Sequence, residues 1–212
     1  MAVEQAQLTT PLLPPRADSD GTLRRIYERA LVLFADRGYH GVSVREIAQA
    51  CGIKASSIYA HVPSKERLLY DLILMAHEEH RDGLRDALLS AGADPVDQLR
   101  ALTSAHVRYH AEYATLAMVG NNELHALSED SASEIQTIRS ADLQLFTDVI
   151  ERGVKLGVFQ SPDPFLATAM VGSAGIRVAA WFVAQQTYTG GRIYTADEVA
   201  DAYSEFALKI VS

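Results

Sequence analysis

The sequence predicts an all-α protein, a small N-terminal unit of three helices followed by a larger helical domain, with about nine helices in all. Apolar residues recur at spacings of three and four from Leu23 to Ile210, and N-cap and glycine stop signals cut that pattern into helix-sized pieces. No run of alternating apolar residues bounded by turn signals marks a strand. With 212 residues, 48% of them apolar, the chain is long enough to bury the core of one large or two smaller domains.

Residues 1–19 hold Pro11, Pro14 and Pro15 without an apolar period and are expected to form a flexible arm. Leu23, Ile26, Tyr27, Ala30, Leu31 and Phe34 then lay a stripe along a first helix that Gly38 stops. Ser43 and Glu46 form a Ser-x-x-Glu capping box at the start of a second helix through Ala50. Gly52 turns the chain into a short third helix at 54–59, which needs Ile53, Ile58 and Tyr59 packed on its neighbours to form at all. Ser64 caps a fourth helix to about residue 89, the mechanical link between the small unit and everything after it. Asp94-Pro95 opens a fifth to about Tyr113, and Ser131 with Glu134 opens a long one that stops between Gly153 and Gly157. Asp163-Pro164 opens another to about residue 186, and Thr195 with Glu198 opens the last.

The net charge of -8 argues, taken globally, against a nucleic-acid binder. Its distribution argues the reverse. Residues 16–68 carry nine cations against six anions, whereas residues 69–212 carry ten cations against twenty anions. The single cysteine, Cys51, excludes an internal disulfide and a thiolate metal site, so a reducing compartment is expected. No stretch of eighteen uncharged apolar residues occurs, and the longest candidate, 165–184, contains Arg177 and reads as a buried helix. A cytoplasmic protein with no membrane partner is the expectation.

Residues 43–59 form a helix-turn-helix pattern, with Ala48 small where two helices cross and Gly52 at the turn. Short polar side chains on the second helix suit entry into a major groove about 12 Å wide. The residues Phe34-Ala35-Asp36-Arg37-Gly38-Tyr39, Ser43-Val44-Arg45-Glu46-Ile47-Ala48, Cys51-Gly52-Ile53, Ser57-Ile58-Tyr59-Ala60-His61 and Ser64-Lys65-Glu66-Arg67-Leu68-Leu69 together resemble the TetR family of bacterial transcriptional regulators. That resemblance covers about a fifth of the chain. It implies a three-helix DNA-binding domain at 20–68 and a ligand-binding and dimerisation domain at 69–212.

The resemblance further implies that Ser43 and Arg45 sit near the phosphates, that Tyr59, His61 and Lys65 grip the DNA backbone, and that Lys54, Ala55 and Ser57 face base edges. Bland readings stay open: Ser43 is also a helix cap, and His61 is also a capping or packing residue. Two residues depart from the family pattern. Lys54 stands where Ser or Thr usually caps the recognition helix, and Ser56 where Gly or Ala is common.

One recognition helix buries too little surface for tight specific binding, so a homodimer spanning half-sites about 34 Å apart is expected. The last two helices are the candidate interface, with stripes at Ala167, Val171, Ala174 and Val178 and at Val199, Tyr203, Phe206 and Ile210, and with Gly172 and Gly175 small enough for close approach. For an effector pocket, His106, Tyr109, His110 and Tyr113 share one helix face, with Met118, Phe146, Met170, Trp181 and Phe182 as candidate walls. Arg139 or Arg177 can pair with an anionic group, although an internal ion pair is the plainer reading of each.

His106 and His110 also have the spacing of two metal ligands, but no third ligand lies nearby in sequence, so neither a metal site nor a cofactor is expected. His77-Glu78-Glu79-His80 has its histidines three apart rather than four and reads as a solvated face of the fourth helix. Residues 121–127 and 153–159 look like an actinobacterial branch of the family whose members repress lipid or sterol degradation and respond to acyl-CoA thioesters. The resulting expectation is a homodimeric repressor released from a double-stranded DNA operator by a small apolar or acyl-CoA-like effector; a regulator without such an effector, an activator or a partner-controlled one, is the alternative. Dinucleotide, nucleophile-elbow and phosphate-loop motifs are missing from the sequence, so no enzyme and no catalytic residue is expected.

Overall fold

The computed structural model describes residues 13–17, 21–185 and 189–212 and is entirely helical over them, with nine α-helices and two short 3-10 turns. The small N-terminal unit consists of α1 (Gly21–Arg37), α2 (Val44–Cys51) and α3 (Ala55–Ile58). The long α4 (Lys65–Ser90) leads into α5 (Pro95–Glu112), α6 (Ala114–Asn122), α7 (Glu129–Lys155), α8 (Pro164–Phe182) and α9 (Ala196–Ile210). Side-chain caps at Ser43, Ser64, Asp94, Asp163 and Thr195 accept backbone N–H groups at the helix starts where the sequence expected them.

The first core joins Ile26, Leu31 and Phe34 of α1 to Ile47 of α2, Ile58 of α3 and the front half of α4. It also takes in Leu116 and Val119 of α6 and Ile135 of α7, so it runs past the boundary expected at residue 68 as far as Ala76. A continuous helix presents the same face turn after turn and does not stop at a domain boundary. In the second domain α5 is the central element, packed against α4, α7, α8 and α9. A second core forms around it from Leu99, Leu102, Phe146, Ile150, Val171 and Ala207.

Three expectations need correction. Residues 13–17 are not a free arm: Leu13 and Ala17 are buried, and Arg24 donates to the Leu13 and Pro14 carbonyls at 3.3 and 3.5 Å. Residues 1–12 and 18–20, like the expected end of α8 at 186, lie outside the described residues. Ala167, Val171, Val178 and Val199, expected on a dimer face, are buried within one chain. Of the expected stripes Ala174 and Phe206 are exposed, and Phe165, Leu166 and Met170 complete the exposed apolar face of these helices. Nor is α8 a fully buried helix: it is long and apolar enough to cross a membrane by length and composition, yet only a third of its most apolar stretch is buried.

Candidate functional site

In the N-terminal unit a capping box and a tightly closed turn set α2 and α3. The Ser43 hydroxyl accepts the Glu46 N–H at 3.3 Å, while Glu46 Oε2 accepts the Ser43 N–H and O–H at 2.8 and 2.7 Å. Arg37 adds an ion pair at 2.8 Å, and these donors push the Glu46 carboxyl down to about 2. Gly52 turns the chain at φ +67°, a left-handed conformation that favours glycine. Lys54 then precedes α3 without making a side-chain cap, as its chemistry dictates.

Ser43, Arg45, Lys54 and Tyr59 are exposed, and Ala55, Ser57 and His61 are partly so. Lys65, expected to grip the DNA backbone, is anchored on the protein itself. Its ammonium turns inward over the Tyr39 ring, 4.0 Å from the centroid, and donates to the Tyr39 and Val42 carbonyls at 3.0 and 2.8 Å. Those carbonyls belong to the loop between α1 and α2, where the Tyr39 carbonyl also accepts the Val42 N–H at 3.3 Å, and their oxygens attract a nearby ammonium.

In the second domain a cavity of about 200 Å³ lies between α4, α5, α6, α7 and α8. His106, Tyr109, His110 and Phe146 line it as the sequence expected. Tyr113 faces a separate cleft with Glu79 and Glu112. Met118 packs with Tyr109 and Ala179 outside the cavity, Trp181 packs in the cluster of Val107, Val178 and Val199, and Arg177 is exposed. Helical geometry explains the last two: Thr168, Gly172 and Ile176 are the α8 residues at the cavity, and positions 177 and 181 stand off that four-residue row. Met170, a candidate wall, is exposed on the opposite side.

The residues missed are polar. His77 and His80, expected on a solvated face, are in the cavity wall: His77 Nε2 donates to the Gly120 carbonyl at 3.3 Å, and His80 bridges Asp142 and His106. The signal was present, because they continue the buried stripe of Leu69, Ile73 and Ala76 along α4. Asp142 likewise sits in the stripe that joins Ile135 to Phe146 on α7. Burial dominates the electrostatics, holding His77 and His80 down to about 4 and His106 to about 3, and raising Asp142 to about 6. Arg139 is the cation in the cavity wall, with Nη1 donating to Asn121 Oδ1 at 2.9 Å. The Tyr109 hydroxyl and Asp142 Oδ1 are buried with no hydrogen-bond partner among the described residues. A cavity with a cation, two unsatisfied polar atoms and an apolar wall is suited to hold a small molecule in one orientation.

Two helices are shared between the cavity and the N-terminal unit. α4 and α6 contribute to the cavity wall at one end and to the first core at the other. Two further bonds cross between the domains: the Tyr39 N–H donates to Glu123 at 3.2 Å and the Ser128 N–H to Glu66 at 3.0 Å; just past the boundary, the Tyr70 hydroxyl on α4 donates to Glu134 on α7 at 2.7 Å.

Comparison with known proteins agrees with this architecture. The family described as bacterial regulatory proteins, tetR family, matches residues 26–72, and the tetracyclin repressor-like C-terminal domain matches residues 92–211. The HTH-type transcriptional repressor KstR2 of Rhodococcus jostii is 31% identical over 200 residues, 92% of this chain and 95% of its own. A crystal structure of a tetR-family regulatory protein from Rhodococcus RHA1 superposes with a TM-score of 0.81 at 30% identity, covering 91% of this chain and 98% of that one. The fold is also that of FadR from Bacillus subtilis in complex with stearoyl-CoA, with a TM-score of 0.66 at 21% identity over 89% of this chain and 98% of that one. The chain therefore belongs to the tetR family of DNA-binding transcriptional regulators. The relatives are regulators rather than enzymes.

Proposed function

We propose that the protein is a repressor whose homodimer binds a palindromic operator in the cytoplasm and is released by an acyl-CoA thioester or a similar lipid-like molecule. The observation that carries this reading is the cavity, whose walls include the helices α4 and α6 that also build the DNA-domain core. A molecule held there acts on the spacing of the recognition helices, provided it binds one spacing better than another. The expected coupling is about 1 to 3 kcal/mol, roughly a 5- to 150-fold change in DNA affinity.

The cavity volume of about 200 Å³ takes an acyl or ring portion, and Gln136 and Ser140, exposed lining residues beside Arg139, mark where an anionic remainder leaves. Tyr59, Lys54 and Arg45 supply DNA contacts, and the exposed apolar face of α8 and α9 supplies the partner surface. Selection of bound fragments from genomic DNA, repeated with a panel of acyl-CoA thioesters and free lipids, tests the proposal. Enrichment of one palindrome that one thioester abolishes is the expected result. Enrichment that no thioester or lipid relieves contradicts the effector and favours a partner-controlled regulator.

A further inference from the structure

At one end of the cavity three imidazoles meet, and their hydrogen bonds assign the ring protons. His106 Nε2 lies 3.0 Å from the Gly172 carbonyl and His110 Nδ1 lies 2.8 Å from the His106 carbonyl, so each of these nitrogens must donate. A neutral imidazole has one N–H, which leaves His106 Nδ1 and His110 Nε2 as lone pairs. His80 Nε2 lies 2.8 Å from His106 Nδ1 and must donate to it. That leaves the His80 Nδ1 lone pair facing Asp142 Oδ2 at 3.0 Å, where two acceptors meet unless an extra proton is held between them. The other oxygen of this buried carboxylate, Oδ1, has no hydrogen-bond partner among the described residues.

We propose that His80, His106 and His110 bind a divalent cation of the zinc class, with Asp142 as the carboxylate behind His80. One ring nitrogen from each histidine lies within 4.8 Å of the others. Nitrogens bound at about 2.0–2.1 Å to a single tetrahedral ion stand about 3.4 Å from one another, so the rings move by up to about an ångström to take it. The cation takes the place of the proton on His80 Nε2; the remaining proton of that ring sits on Nδ1 and is donated to Asp142, and one proton leaves to solvent. Every ligand then has its second ring nitrogen on a protein oxygen: the Asp142 carboxylate, the Gly172 carbonyl and the His106 carbonyl. That outer arrangement fixes the tautomer and orientation of metal-bound histidine.

Imidazole nitrogens suit zinc, nickel and cobalt better than calcium or magnesium. Three protein ligands leave a fourth position, and the trio lines the cavity, so that position is open to an oxygen donor such as the carboxylate of a small molecule. The inference stands apart from the identity of the effector. Its sequence signal was incomplete because His106 and His110 share a helix, while the third ligand comes from α4, 26 residues upstream.

Titration of the untagged full chain with Co²⁺, after dialysis against a chelator, tests it. One ion is taken up per chain, with the visible absorption of a four-coordinate cobalt centre that Zn²⁺ then removes. Asp142→Asn weakens the affinity roughly 10- to 100-fold. The double variant His80→Asn with His106→Asn loses the absorption while its circular dichroism keeps the helical signal. Absence of a bound ion in the parent chain overturns the proposal whatever the variants do. Uptake that persists in the double variant also overturns it, by assigning the ion to exposed histidines such as His40 or His125.

Discussion

The two halves of α4 pass through opposite surroundings. From Leu68 to Ala76 its buried residues are all hydrocarbon and interlock with α1, α2 and α3. From His77 onward the same face meets imidazoles, a carboxylate and a carbonyl. Buried apolar groups stabilise in proportion to the area they hide, whereas buried polar groups cost stability unless each is satisfied. One helix therefore joins a half that holds the N-terminal unit together to a half that lines the cavity with polar groups.

Substitution separates the two. Leu72 is fully buried in the apolar half, and Leu72→Ala is expected to cost about 2 to 5 kcal/mol, read as a lowered urea midpoint with parallel loss of DNA binding. In the polar half the sharpest site is across the cavity, at Gly175, where an added Cβ would stand 2.1 Å from His106 Cδ2 and 2.4 Å from Nε2. Gly175→Ala forces the imidazole off the Gly172 carbonyl and is expected to destabilise by about 1 to 3 kcal/mol in the same measurement.

Smaller effects sharpen the contrast at the boundary and on the DNA face. Glu123→Ala removes the acceptor of the Tyr39 N–H and is expected to cost about 1 kcal/mol, while shifting the effector response of DNA binding in a fluorescence titration. Ser43→Ala removes the α2 cap, again for about 1 kcal/mol in thermal melts. The smallest effect follows pH. Glu46 falls from 4.5 to about 2 on folding, so its contribution is present above pH 4.5 and is lost as pH falls towards 2. The stability deficit of Glu46→Ala in urea should therefore shrink between pH 5 and pH 2.

The start of α7 was misplaced at Ser131, since its N-cap is Ser128, which makes no side-chain cap; most other helix starts were legible because caps are local, and Ser43 with Glu46 and Thr195 with Glu198 each form the expected reciprocal box. α6 was not, for two reasons. Tyr113 ends α5 and begins α6 without a polar cap, and α6 is buried nearly all round, from Ala114 to Gly120, so it shows no amphipathic period. The same uniform apolarity of α8 hid which of its faces turns inward. His80 and Asp142 were missed because charged or polar side chains on a long helix suggest solvent, which outweighed their place in the apolar stripes of α4 and α7. The inward turn of Lys65 depends on two loop carbonyls that no spacing rule locates.

The central claim is that occupancy of the cavity controls DNA affinity. Leu143, in the wall, offers a way to fill it. The most direct measurement is fluorescence anisotropy of the selected palindrome against the parent chain and Leu143→Trp, with and without the thioester that releases the parent. Equal affinity without thioester, a roughly 5- to 150-fold release of the parent and no release of the filled variant are predicted. Release of Leu143→Trp to the same extent as the parent would contradict the claim and place the effector elsewhere.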